Sequence, residues 1–246
     1  MLLSGDSIRL LVKQKKLIGE NGITGRVSSA TSPNNEKILS YGVGPAGYDL
    51  RLSHSFVYHD KTVEYCTLPG SKISPALPHD HNFFVFQNKQ SLSSTSSPPP
   101  SYLPVADPKN LYDCTNNFPS STGQNESLKN DWKFVSFDSN LYQGMFLGPK
   151  CSVLAQSLEK IEMTKMHMGI CIGKSSYARC GLLVNVTPIE PNWRGYLVIE
   201  LTNLSDYYLR LYPGEGIAQL LFLEIDQPSD YSGRWQDQPP LSTYFV

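Results

Sequence analysis

A chain of 246 residues suits one large domain or two small ones, and 40% hydrophobic against 17% charged residues provides for a sizeable core and excludes a disordered tail. A net charge of −1 with a pI near 6.5 argues against a nucleic-acid partner held on a broad basic surface, leaving room only for a small basic pocket. No apolar run approaches the roughly 18 to 20 residues that a membrane helix needs, so no membrane partner is expected.

The N-terminal MLLSGDSIRLLVKQKKLIGENG does not read as a secretory signal, because Asp6 and Arg9 interrupt its apolar part and its basic residues follow that part. It predicts a short amphipathic helix with Ile8, Leu11 and Val12 on one face and Ser4 or Asp6 as cap. A polar, glycine-containing segment follows to about residue 36. Strand-like alternation then runs from Ile38 through Leu52 to Tyr58, and in it Asp49 and Arg51 follow the glycine-rich turn GPAG. Two stretches differ in kind: residues 67–105, rich in Ser and Pro, and residues 114–131. Both read as loop insertions into a single domain spanning 1–246. From Lys133 onward the pattern is steadily β. In GYLVIELTN, Leu197, Ile199 and Leu201 share one face, and Tyr196, Val198 and Glu200 share the other. Residues 206–225 hold two more strands around a Pro213-Gly214 turn. Many short strands and few helical patterns predict an all-β sandwich or barrel.

The five cysteines, at 66, 114, 151, 171 and 180, form no CxxC pair and show no metal-ligand spacing. They are expected to be reduced thiols in a cytoplasmic protein. A zinc-dependent nucleoside deaminase would need HxE followed by PCxxC, and neither is present. Pro78-His79-Asp80-His81 lacks a further neighbouring ligand and reads as a solvated loop.

The informative block is CIGKSSYARCGLLVNVTPIEPNWRGYLVIELTN, residues 171–203. Gly173-Lys174-Ser175-Ser176 with Arg179 gathers donors suited to a phosphate chain, although GxxxxGK[ST] does not fit and a structural turn is the plainer reading. Glu200, in an otherwise apolar strand, is either a general acid/base or an edge glutamate paired with an arginine. Glu190 lies between Pro188 and Pro191 in a rigid turn and is either aimed at a site or merely solvated.

This block resembles the core signature of the dCTP deaminases, in the branch with a short TPLEPxW hairpin. The likeness extends to ILSYGVGPAGYDLRL, to ADPKN at 106–110, to YPGEGIAQLLFLE and, more weakly, to Tyr231, Arg234, Trp235 and Gln238 near the end. The dUTPases of the same superfamily share AGYDL, so Asp49 and Arg51 are expected to serve structure. The resemblance implies a distorted β-barrel or jelly roll of the dUTPase-like type, with the short N-terminal helix, assembled as a homotrimer with sites at subunit interfaces. It implies hydrolytic deamination of dCTP to dUTP without catalytic zinc. Lys174, Ser175, Ser176, Tyr177, Ala178 and Arg179 would bind the triphosphate, with Ser175 and Arg179 as main contacts. Glu200 would be the general base and then acid, Val198 and Ile199 would line the nucleotide, and Gln219, Tyr231 and Gln238 would complete the pocket. Glu190 and Arg234 are further candidates. Mg2+ would arrive on the triphosphate, and dTTP is a candidate inhibitor.

The sequence departs from the family in the short Tyr231–Gln238 spacing, in Arg234-Trp235, and in the ending PPLSTYFV. A dUTPase would place an Asp where Glu190 stands and would end in a glycine-rich arm. The alternatives retained are a bifunctional enzyme that also cleaves dUTP to dUMP through Glu190, and a catalytically silent nucleotide-binding regulator.

Overall fold

The computed structural model describes residues 1–28, 37–59 and 142–244, together with the strands at 84–88, 105–106, 126–127 and 132–136. Helix α1 (Gly5–Lys13) opens the chain. Ser4 caps it, its hydroxyl accepting the Ser7 N–H, and Ile8 and Val12 are buried beneath it. The segment that follows, read from sequence only as polar, contains β1 (Leu17–Ile18) and β2 (Arg26–Val27). Next come β3 (Tyr41–Val43), β4 (Tyr48–Arg51), β5 (Ser55–His59), β6 (Phe84–Asn88), β7 (Val105–Ala106), β8 (Glu126–Ser127) and β9 (Trp132–Ser136). The second half holds β10 (Tyr142–Leu147), β11 (Ser152–Glu162), β12 (His167–Gly173), the single-turn helix α2 (Ser175–Ala178), β13 (Leu182–Val184) and β14 (Thr187–Ile189). Last are β15 (Arg194–Asn203), β16 (Tyr208–Leu211), β17 (Gly216–Glu224) and a 3-10 helix (Leu241–Tyr244).

The fold is all-β, as expected. Among the described residues one sheet runs β13-β15-β11-β5-β9-β8 with β1 added on β11, a second runs β14-β12-β17-β4-β3-β2, and a smaller one runs β6-β10-β16-β7. Every strand pairing among the described residues is antiparallel except that of β16 with β7. One core joins them: Ile8 from α1, Tyr48 and Leu50 from β4, Ile161 from β11, Leu197, Ile199 and Leu201 from β15, and Phe222 from β17. The strand at 194–203 alternates as its sequence predicts, with odd-numbered residues in the core. The stretches at 67–105 and 114–131 lie largely outside the described residues, as does His79-Asp80-His81.

Two turns behave differently from hairpins. The Pro188–Trp193 turn was expected to set two strands side by side, yet β14 pairs with β12 while β15 pairs with β11 and β13. The turn therefore carries the chain from one sheet to the other, helped by Asn192 at φ 61°, a left-handed conformation that asparagine tolerates. The Pro213-Gly214 turn likewise separates β16 from β17 in different sheets, with Gly214 at φ 82°.

Asp49 and Arg51 do not pair with each other. The Arg51 guanidinium and backbone N–H both donate to the Glu159 carboxylate, at 2.8 and 2.9 Å. Glu159 is completely buried, and its burial pushes the carboxyl above the ordinary range against the opposing pull of Arg51. Asp49 is also buried and takes part in a separate network.

Candidate active site

On the outward face of β15, Val198 and Glu200 line a cavity of about 580 Å³, within the size range of small-molecule sites. Leu154 of β11 stands opposite Glu200 in the ladder and forms part of the floor. The turn from β14 to β15 supplies Pro188, Ile189, Glu190 and Trp193, and the C-terminal segment supplies Tyr231, Arg234, Trp235, Gln238 and Leu241. The walls are mainly apolar, and Glu200 is half-buried among them. Among the described residues its carboxylate receives one long hydrogen bond, from Asn185 Nδ2 at 3.4 Å. Behind it, burial and the charge of Glu200 push the Cys171 thiol up to about 12, so this sulfur stays protonated.

The C-terminal segment is strapped down by backbone contacts. Tyr231 N–H donates to Pro191 O, Gln238 N–H to Arg194 O, and Tyr196 N–H to Gln238 O. The Trp193 indole donates to Trp235 O at 2.7 Å, and the Arg234 guanidinium stacks on the Trp235 ring. Gly195 makes the approach feasible: at φ 142° it lies so close to Gln238 that a Cβ would stand 2.7 Å from backbone atoms there. The Arg194–Asp237 ion pair adds an exposed contact at 3.0 Å.

The second group of expected residues lies elsewhere. Lys174 precedes α2 in extended conformation, and its ammonium is bonded to Asp49 at 2.6 Å and to Ser40 Oγ at 3.1 Å. Gln219, the ladder partner of Asp49, donates to the other carboxylate oxygen at 3.1 Å, and Arg26 approaches at 3.4 Å. Ser175, Ala178 and Arg179 are exposed and Ser176 is half-buried. Tyr177 is buried in the core, its hydroxyl accepting the Tyr212 N–H. Ile199 faces the core, opposite to Val198, so its side chain does not line the cavity. One cavity thus unites Glu200, Val198, Glu190, Tyr231, Arg234 and Gln238, while the Lys174–Arg179 loop and Gln219 stand outside its lining. The sequence reading passed over the walls made by Leu154, Thr187, Trp193 and Leu241. The alternation in SVLAQSLEK was the one signal that could have placed Leu154.

Fold and site together define an all-β protein with a nucleotide-sized, mainly apolar cavity around a single half-buried carboxylate. The family described as dCTP deaminase-like matches residues 115–225. The dCTP deaminase of Francisella tularensis subsp. novicida is 30% identical over 210 residues, covering 83% of this chain and 80% of its own length. The dCTP deaminase of Francisella philomiragia matches to the same extent. Among solved structures, that of a 2'-deoxycytidine 5'-triphosphate deaminase from Agrobacterium tumefaciens aligns with a TM-score of 0.44 at 16% identity, over 90% of this chain and 47% of that one. The chain belongs to the dCTP deaminase family.

Proposed function

We propose that this chain hydrolytically deaminates dCTP at C4 of the cytosine, releasing dUTP and ammonia, with Glu200 moving the protons. The observation that carries the reading is the placement of Glu200: a half-buried carboxylate with one weak partner, facing a cavity of nucleotide size in a chain of this family. Glu200 takes a proton from water as the water oxygen bonds to C4, and passes that proton to ring N3, leaving the carboxylate free again in the tetrahedral adduct. The second water proton then passes through Glu200 to the amine, the C4–N bond breaks, and the carbonyl of uracil remains. One carboxylate can act twice in this way because its two tasks follow each other.

Ser175 and Arg179 are the exposed donors for the triphosphate. Because they stand outside this chain's own cavity, we propose a homotrimer in which a neighbouring subunit's loop completes each site. Lys174, tied to Asp49, acts in this reading by holding that loop. Among the described residues no three His, Cys, Asp or Glu side chains gather. In this reading Mg2+ arrives on the triphosphate, carried by phosphate and water oxygens. It screens the phosphate charge when bound. A competing dTTP would use the same triphosphate contacts. Cys151, Cys171 and Cys180 are thiols and not disulfides, which agrees with a cytoplasmic setting.

The test is product analysis after incubation with dCTP, and separately with dUTP, in the presence of Mg2+. Accumulation of dUTP and ammonia is expected, and dCTP left intact would overturn the reading in favour of a silent regulator. Glu190 opens onto the same cavity, which favours one second reading: appearance of dUMP and pyrophosphate would make the enzyme bifunctional.

A further inference from the structure

Gln156 of β11 is 3% exposed, and its two amide atoms differ sharply in their surroundings. Oε1 accepts the Leu241 N–H at 3.2 Å. That contact fixes the amide's orientation, since reversing it would set N–H against N–H. Nε2 is then left buried with no partner among the described residues. A buried donor without an acceptor is costly, and native folds seldom keep one without a use.

The ladder places this donor beside the site. Leu154 pairs with Glu200 and Gln156 with Val198. Opposed residues in an antiparallel pair share a face, so these four side chains form one patch, and the other three line the cavity. Gln156 is the diagonal neighbour of Glu200, a separation of roughly 7–8 Å. Its position is held from both sides. Ser53 N–H donates to its carbonyl at 2.8 Å, and directly after it the strand bulges, with the Ser157 hydroxyl taking the Leu197 N–H at 2.9 Å.

We propose that Gln156 reads the pyrimidine ring, its Nε2 donating to the 2-carbonyl of the base. The inference rests on the deaminase reading above. The 2-carbonyl lies on the same edge of the ring as the 4-amino group, two ring positions along, so a base with C4 against Glu200 can direct it along the patch toward Gln156. Nε2 is buried in this structure beside a cavity that Leu241 also lines, so the base reaches it only as that side of the cavity opens, while the Leu241 N–H keeps hold of Oε1. The 2-carbonyl is unchanged by the reaction, so the bond serves substrate and transition state alike and acts on KM more than on kcat.

The experiment measures kcat and KM for dCTP and for its 2-thio analogue, whose sulfur is a weaker acceptor, in the wild type, Gln156→Glu and Gln156→Leu. Leucine preserves the volume and deletes the donor at every pH, and glutamate retains an acceptor for Leu241 while deleting the donor once it is ionised. The wild type is expected to lose about tenfold in kcat/KM on the analogue. The variants are expected to raise KM for dCTP by about the same factor, with kcat nearly unchanged, and to treat the two substrates alike. Equal handling of both substrates by the wild type overturns the proposal whether or not a variant folds. Variants that keep the wild-type discrimination overturn it as well. A wild type that leaves dCTP unconverted refutes the deaminase reading, and the role of Gln156 falls with it.

Discussion

The two carboxylates around which this protein is organised, Glu200 and Asp49, live in opposite circumstances. Asp49 is buried at the centre of a saturated network, with Lys174, Gln219, Ser40 and Arg26 all directed at it. Glu200 stands half-exposed at a cavity with one long hydrogen bond. A carboxylate surrounded by donors has spent its acceptor capacity on the fold and has little left for moving protons. A carboxylate with open lone pairs keeps that capacity for a ligand or a water. The contrast divides the residues that the motif GKSSYAR and its surroundings group together in sequence: some hold the frame, and others face the chemistry.

The largest effect that would sharpen this contrast is on stability. Asp49→Ala strands the Lys174 ammonium, whose side chain is 11% exposed, and should cost about 3–5 kcal/mol in chemical denaturation. A cost near zero would remove the distinction between the two carboxylates. Next is Gly195→Ala, which drives a methyl into the Gln238 backbone and adds left-handed strain. It should cost about 1–3 kcal/mol and lower kcat/KM by displacing Tyr231 and Gln238. Wild-type kinetics would show that the strap does not shape the site.

A pH prediction concerns the thiol behind Glu200. The folded-state pKa of Cys171 is raised from 9.0 to about 12, so the unfolded chain loses this proton first as pH rises. The stabilisation is intact below about pH 9 and is lost progressively toward pH 12. Cys171→Ala should flatten that part of the stability curve, as followed by denaturation at each pH. The smallest effect is that of Glu190→Gln. Glu190 is exposed at the cavity mouth, and the substitution should leave deamination of dCTP within about twofold of wild type. A hundredfold loss would bring Glu190 into the reaction.

Much of this was legible in local pattern. The alternation of 195–203 put Glu200 with Val198 on one face and Ile199 on the other, and the folded strand keeps that arrangement. Ser4 and the Ile8, Val12 stripe announced the first helix. What was not legible depends on contacts between residues far apart in sequence. Nothing near Lys174 signals that Asp49, 125 positions away, will claim its charge, nor that Arg51 will reach Glu159. The turn at Pro188–Trp193 reads as a hairpin because its prolines specify a reversal, whereas strand pairing is decided by which sheet edges are open to receive β14 and β15. Gln156 escaped notice because one amide in a strand carries no motif. Only the ladder register shows it beside Glu200.

The central claim, that Glu200 performs the proton transfers, is tested most directly by Glu200→Gln. The substitution keeps size and hydrogen-bonding shape while removing the base. Calorimetric titration with dCTP and single-turnover conversion to dUTP would be measured on the same preparation. The account predicts binding within a few-fold of wild type and conversion slowed by about 10²–10⁴-fold or more. Conversion at the wild-type rate would contradict it and send the search for the base elsewhere in the cavity.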